Sequence, residues 1–148
     1  MPIPAFNEDG FLPEGIHDCT LGDIRERFGQ FQQTDQRCRL FERLEMFLRD
    51  VAATSFFRTV IVDGSFVTAE DAPNDIDLIL VLLETHDFTA TLRPFEYNVV
   101  SKRQIRRQHG FDAIVASEGS RELDDYIEFF SRVRDRFGVT KGLLRVSL

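Results

Sequence analysis

Residues 60–82 read VIVDGSFVTAEDAPNDIDLILVL. Two apolar runs flank a polar turn, which opens with Gly64-Ser65 and closes with Asp75. The second run is apolar at every position from Leu78 onward, which is typical of a strand covered on both faces. Because the connection is too short for a parallel crossover, the stretch predicts two antiparallel strands.

Three aspartates are candidates for a metal site. Asp75 and Asp77 lie two apart, so on a strand their side chains project the same way, with roughly 6–7 Å between the Cα atoms. Two neighbouring carboxylates repel each other unless a cation lies between them. Asp112 interrupts the apolar run from Phe111 to Ala116, where a carboxylate is costly unless it is paired or metal-bound. If that strand lies beside the one that begins near Asp75, three carboxylates converge on a site suited to Mg²⁺ or Mn²⁺.

Each aspartate taken alone also has a structural explanation. Asp75 follows Pro73-Asn74 and could simply end a turn, Asp77 could cap or face solvent, and Asp112 could be a solvent-facing carboxylate at a strand edge. The combination with Gly64-Ser65 favours a ligand site. A close backbone approach, an exposed N–H and a hydroxyl there would suit phosphate oxygens.

The rest of the chain predicts one domain, residues 1–148, of the α/β (α+β) class: a mixed sheet with helices packed on it. Residues 1–19 are expected to form an irregular arm, because prolines and glycines break any periodicity. Apolar residues at helical spacing predict helices, and alternation predicts a last, edge strand. The expected helices cover a short stretch after Thr20, residues 35–54, a stretch from Pro94 to Gly110, and residues 121–137, and the edge strand covers residues 142–148.

Composition restricts the class of protein. The 148 residues are 43% hydrophobic and carry a formal net charge of −7, which argues against general DNA binding because such proteins normally have a basic face. No apolar run has the length of a signal peptide or a membrane span. Cys19 and Cys38 fit no metal-ligand spacing and are expected to be reduced thiols, so a cytoplasmic protein is predicted.

The motif resembles that of a known family. Gly64-Ser65, nine intervening residues and then Asp75-Ile76-Asp77-Leu78 are similar to the Gly-Ser…Asp-x-Asp pattern of the polymerase-beta-like nucleotidyltransferase superfamily. The resemblance covers about residues 35–116 and is nearest to the small, single-domain minimal nucleotidyltransferases of bacteria and archaea. The stretches Gly64-Ser-Phe-Val-Thr68 and Pro73-Asn-Asp-Ile-Asp77, together with Leu12-Pro-Glu-Gly-Ile-His17 and the final Lys-Gly-Leu-Leu-Arg, resemble a bacterial branch of that superfamily.

The resemblance implies an activity and a set of site residues. The expected reaction transfers a nucleoside monophosphate from an NTP to a hydroxyl on a protein, an RNA or a small molecule. Asp75 and Asp77 would bind two Mg²⁺ (or Mn²⁺) ions, and Asp112 would bind the catalytic ion and assist deprotonation of the acceptor. Ser65 and the Gly64 backbone would hold the β- and γ-phosphates.

The chain departs from the family at one position. Minimal members usually carry an Arg shortly after Gly-Ser, whereas this chain has Phe66-Val67-Thr68. Arg103 or Arg106 would then have to supply the nucleotide-binding cation. Their cluster, which includes Lys102 and Arg107, could equally be a solvated helix face.

A second function remains open at this stage. The chain could be a weak or inactive nucleotidyltransferase-fold module that acts as one partner of a toxin–antitoxin or defence pair, with a helical protein as the other partner. A homo-oligomer is also compatible with the sequence.

Overall fold

A five-stranded mixed sheet with helices on both faces forms the body of the chain in the computed structural model, which describes residues 3–148. The α/β prediction with a mixed sheet is therefore confirmed. In chain order the elements are β1 (Ile16–Cys19), α1 (Leu21–Phe28), α2 (Gln36–Thr54), β2 (Phe57–Asp63), a 3₁₀ turn (Ser65–Val67), β3 (Asp77–Leu82), α3 (Pro94–Val100), α4 (Lys102–His109), β4 (Asp112–Ser117), α5 (Arg121–Phe130) and β5 (Leu143–Ser147).

The strand order is β1-β5-β2-β3-β4. The pairs β2–β3 and β2–β5 are antiparallel, whereas β1–β5 and β3–β4 are parallel. The predicted antiparallel hairpin of residues 60–82 is thus present as β2 and β3. It occupies the middle of the sheet, so its apolar residues can be covered from both sides.

The two faces of β3 account for its unbroken apolar run. Leu78 and Leu80 point into the larger core, which α1, α2, α3 and α4 cover, whereas Ile79 and Val81 point into a smaller core under α5. Burying each such side chain contributes about 1.5–3 kcal/mol. Asp77 therefore begins a strand that is fixed in place by packing on both of its faces.

Two predictions about the chain ends are wrong. Within the expected irregular arm, Ile16–Cys19 form β1, which pairs in parallel with β5 and makes β5 an interior strand rather than an edge. The pairing needs a close approach, because a Cβ on Gly142 would collide with the carbonyl oxygen of Pro13. Residues 1 and 2 of the expected arm lie outside the described residues.

Two predicted helices differ in length. The helix expected from Pro94 to Gly110 is broken at Ser101, whose hydroxyl accepts a hydrogen bond from the Gln104 N–H and begins α4 as a separate helix. The helix expected over 121–137 ends at Phe130. Beyond it the chain turns back, and the Lys141 N–H donates to the Ser131 carbonyl.

The two cysteines, Cys19 and Cys38, are unpaired, as the sequence predicted. Within residues 3–148, no helix combines the length and the apolar character that crossing a bilayer requires.

Candidate functional site

Three aspartates lie side by side across the middle of the sheet. The strand register pairs Asp63 of β2 with Asp77 of β3, and Asp77 with Asp112 of β4. Paired residues on neighbouring strands point to the same face and are about 5 Å apart. All three share the face that α5 covers, since Ile61 and Ile79 on the same strands belong to its core. The sheet therefore brings Asp77 and Asp112 together, as the sequence predicted conditionally, and adds Asp63.

The turn between β2 and β3 holds Asp75 against Ser65. The Ser65 N–H donates to Asp75 Oδ1 at 3.1 Å, and the Ser65 hydroxyl donates to the same oxygen at short range. The backbone N–H groups of Asn74 and Asp75 donate to Ser65 Oγ at 3.1 and 3.3 Å. In this state the Ser65 hydroxyl and N–H are bound to the protein itself, so a phosphate would have to compete with Asp75 for them.

Glycine is required where the turn begins. Gly64 has φ +98°, a region that side chains rarely adopt, and a Cβ there would lie 2.7 Å from the Asp75 carbonyl oxygen. The backbone of the turn can close on the start of β3 only because position 64 has no side chain. Substitution would push Asp75 and Asp77 away from Ser65.

A buried arginine supports the turn from beneath. Arg37 of α2 is 1% exposed, and its guanidinium donates to the carbonyl oxygens of Phe66, Thr68 and Glu70 at 2.6, 2.8 and 2.5 Å. Sequence reasoning missed it because a charged residue on an amphipathic helix is normally assigned to solvent. Arg37 positions the loop after Gly64-Ser65. Because its guanidinium is buried and already donates to three carbonyl oxygens, it does not replace the missing phosphate-binding Arg.

Asp63 is a fourth carboxylate that the sequence analysis overlooked. It is 2% exposed, and Lys141 Nζ lies 3.0 Å from its Oδ1, although that oxygen has no partner with hydrogen-bond geometry. Burial raises the pKa of Asp63, while the Lys141 ammonium lowers it. The sequence did contain a signal for it. Asp63 lies two residues after Ile61 on β2, so the two side chains share a face, and the antiparallel pairing of β2 with β3 places Asp63 beside Asp77.

Negative charge accumulates at Asp77. Its pKa is raised to about 6, first by burial and then by repulsion from Asp75, Asp63 and Asp112, with Lys141 opposing the rise. Asp112 is exposed, and Arg106 Nη1 donates to its Oδ1 at 2.7 Å. Arg106 thus contacts a carboxylate of the row, whereas Arg103 is exposed on α4. Neither arginine of the predicted pair lines the cavity described next.

A cavity of about 590 Å³ opens over Asp63, Asp75 and Asp77, and we call it the carboxylate cavity; Asp112 lies outside its lining. Its lining includes Asp63, Gly64, Ser65, Glu70, Asp75 and Asp77 on one side and Phe129, Phe130, Arg132, Arg134 and Lys141 on the other. Drug-sized ligands and cofactors occupy cavities of roughly 300–1,000 Å³. The volume therefore suits a nucleotide-sized molecule.

The carboxylates only partly meet the requirements of a metal site. Among residues 3–148, no three His, Cys, Asp or Glu side chains are placed to hold an ion together. Asp75 is turned to Ser65 and Asp112 to Arg106, so the predicted three-carboxylate set is not assembled. The donor chemistry nevertheless fits Mg²⁺ or Mn²⁺, because the ligands are carboxylate oxygens and the excess negative charge at Asp77 would be relieved by a cation.

Comparison with known proteins places the chain in a family. A family model matches residues 4–147. The chain belongs to the family of unknown function DUF6932. The comparisons with curated proteins and with solved structures each found no match. The DUF6932 match extends from before β1 to the end of β5, so it includes every residue of the carboxylate cavity.

Proposed function

We propose that the carboxylate cavity binds an NTP together with Mg²⁺ or Mn²⁺ and transfers its nucleoside monophosphate to a hydroxyl acceptor. The observation that supports this most directly is the in-register row of Asp63, Asp77 and Asp112 beside the Gly64-Ser65 turn. A row of carboxylates next to a glycine turn suits a metal-bound polyphosphate, which brings positive charge to the carboxylates and oxygens to the turn.

Asp75 and Asp77 would hold the ion, and Asp112 would join them after releasing Arg106. The ion supplies Lewis-acid neutralisation of the triphosphate charge when it is bound. Arg106 lies on the exposed surface of α4, so its release from Asp112 breaks only a solvent-facing ion pair, which is worth less than about 1 kcal/mol. Arg106 does not line the carboxylate cavity, so its release would free Asp112 without bringing the guanidinium to the nucleotide.

The residues of the chain would carry the proton and orient the phosphates. Asp112 would accept the proton of the acceptor hydroxyl while the oxygen of that hydroxyl forms a bond to the α-phosphorus. The bond from the α-phosphorus to the bridging oxygen breaks, and its electron pair leaves with pyrophosphate. The Gly64-Ser65 backbone would lie beside the phosphates, in the position that Gly64 fixes by letting the turn close on Asp75.

The test is transfer of label. The protein is incubated with α-labelled NTPs, Mg²⁺ or Mn²⁺ and cell lysate, and the products are separated by size and identified. The proposal expects label on one acceptor with the wild-type protein and none with Asp77→Asn. The exposed Asp125→Asn, on α5, serves as the matched control and should behave as wild type. Equal labelling with wild type and Asp77→Asn, or no labelling under any condition, refutes the proposed reaction.

One observation favours a second candidate function. Asp75 and Asp112 are both bound to other side chains, as in a site that is not used for catalysis. The chain would then be one partner of a toxin–antitoxin or defence pair and would bind a helical protein. This alternative is supported if an adjacent gene encodes a small helical protein and that protein forms a stable complex with wild type and with Asp77→Asn alike. A gene with no such neighbour counts against it.

A further inference from the structure

The wall of the cavity opposite the carboxylates comes from one segment, residues 129–141, which we call the α5 end segment. It contributes Phe129, Phe130, Arg132, Arg134 and Lys141 to the lining. This segment includes the part of the chain that turns back instead of continuing α5. The turn therefore places three cations and two aromatic rings across from Asp63, Asp75 and Asp77.

The three cations differ in their availability. Lys141 lies 3.0 Å from Asp63, and Arg132 lies 2.5 Å from Glu128. Arg134 is exposed and has no ion pair within residues 3–148. The residues that follow Gly64-Ser65 offer no cation, because Phe66, Val67 and Thr68 carry no charge. Arg134 is thus the cation of the cavity wall that can take a phosphate without giving up a carboxylate.

Phe129 adds an aromatic surface at the same cavity. Its side chain is 64% exposed although it lines a cavity rich in charge, and the neighbouring Phe130 packs against the core under α5. The two rings are 5.8 Å apart and tilted by 56°. The Phe129 ring is therefore exposed at the cavity and is not part of the packed core, so it can stack on a ligand without loss of core packing. Stacking is the means by which proteins bind nucleobases without regard to sequence.

We propose that the α5 end segment is the nucleotide-recognition element of the cavity, with Phe129 stacking on the base and Arg134 binding the triphosphate. The identity of the ligand as a nucleotide rests on the proposed function. The assignment gives the phosphate-binding role to Arg134, rather than to Arg103 or Arg106 on α4. It also explains why the chain can do without an Arg directly after Gly64-Ser65.

Calorimetry with two probes separates the two roles. Wild type and variants are titrated with ATP and with inorganic tripolyphosphate, both in Mg²⁺. Phe129→Ala should weaken ATP binding roughly tenfold and leave tripolyphosphate binding unchanged, because only ATP carries a base. Arg134→Gln should weaken both probes by the same factor, roughly three- to tenfold for an exposed guanidinium.

Two matched controls test specificity. Phe137→Ala removes a fully exposed ring of the same segment that does not line the carboxylate cavity, and Arg121→Gln removes an exposed charge at the far end of α5. Both should bind the probes as wild type does. Circular dichroism of each variant verifies the fold, which should be intact because all four residues are exposed.

The outcomes distinguish this proposal from the proposed function. Wild type that binds neither probe overturns the assignment, and so does binding that neither Phe129→Ala nor Arg134→Gln weakens. If binding depends on Asp77 but not on these two residues, the proposed function survives and the recognition element is wrong. If ATP binding depends on both residues but no label is transferred, the recognition element stands and the reaction fails.

Discussion

Replacing Asp77 with Asn should stabilise the protein at neutral pH in the absence of metal. The pKa of Asp77 is raised from its ordinary value of 3.8 to about 6, so the ionised carboxylate is unfavourable in the folded state. A rise of that size corresponds to about 3 kcal/mol if it is expressed fully. Asp77 is only half-buried, and solvent screening reduces the expected gain to about 1–2 kcal/mol. Asn keeps the size of the side chain and removes the charge that Asp75, Asp63 and Asp112 repel.

The direction in which the free energy of unfolding changes with pH follows from proton binding by Asp77. Because the pKa in the folded state lies above that in the unfolded state, folded wild type binds more protons between about pH 4 and about pH 6. The contribution of Asp77 to the free energy of unfolding is therefore fully present below that window and is lost as the pH rises through it. The advantage of Asp77→Asn should therefore be small near pH 4, grow through the window and be complete above it.

Thermal and urea unfolding in EDTA at about pH 4.5 and 7.5 test this reasoning on wild type, Asp77→Asn and the exposed control Asp125→Asn. A gain of 1–2 kcal/mol at the higher pH is about 2–8 °C in Tm for a chain of this size. Asp125→Asn should remain within about 0.5 kcal/mol of wild type. If Asp77→Asn is as stable as wild type at pH 7.5, or less stable, the carboxylates do not repel each other as the structure indicates.

Three further substitutions test the supports of the site. Lys141→Met should cost about 3 kcal/mol in urea unfolding because it leaves the buried Asp63 without its cation, and adding Asp63→Asn should recover most of the loss. An unchanged urea midpoint in the single variant would contradict the ion pair. Arg37→Met should cost about 3 kcal/mol or more and speed amide exchange in the loop whose carbonyls it binds, and unaltered exchange there would rule out its supporting role. Gly64→Ala should lower Tm more than Gly119→Ala, since both positions have positive φ but only at position 64 would a Cβ lie 2.7 Å from a backbone oxygen; equal losses would mean that strain alone matters.

The hairpin at the centre of the site could be predicted from sequence because its signals are local. The apolar runs of β2 and β3 are separated by a short turn, so pairing them needs no information from elsewhere in the chain. The position of Asp112 opposite Asp77 needed one assumption, namely that β4 lies beside β3, and the structure bears the adjacency out.

The rest of the cavity depends on contacts between distant parts of the chain. β1 has only four residues and little apolar character, so its pairing with β5 is visible only in three dimensions: Asp18 and Arg145, which form an ion pair there, are 127 residues apart. The return of Lys141 to Asp63 depends on the turn after α5. The continuing apolar spacing at Val133 and Phe137 hid that turn, although Phe137 is fully exposed.

Calorimetric titration of the wild-type protein with each of the four NTPs, in Mg²⁺ and again in EDTA, is the decisive experiment for nucleotide binding in the carboxylate cavity. We expect at least one NTP to bind in Mg²⁺. Binding should be lost in EDTA and in Asp77→Asn, but not in Asp125→Asn. Heat no greater than dilution for all four NTPs in Mg²⁺ would contradict the claim that the carboxylate cavity is a nucleotide site.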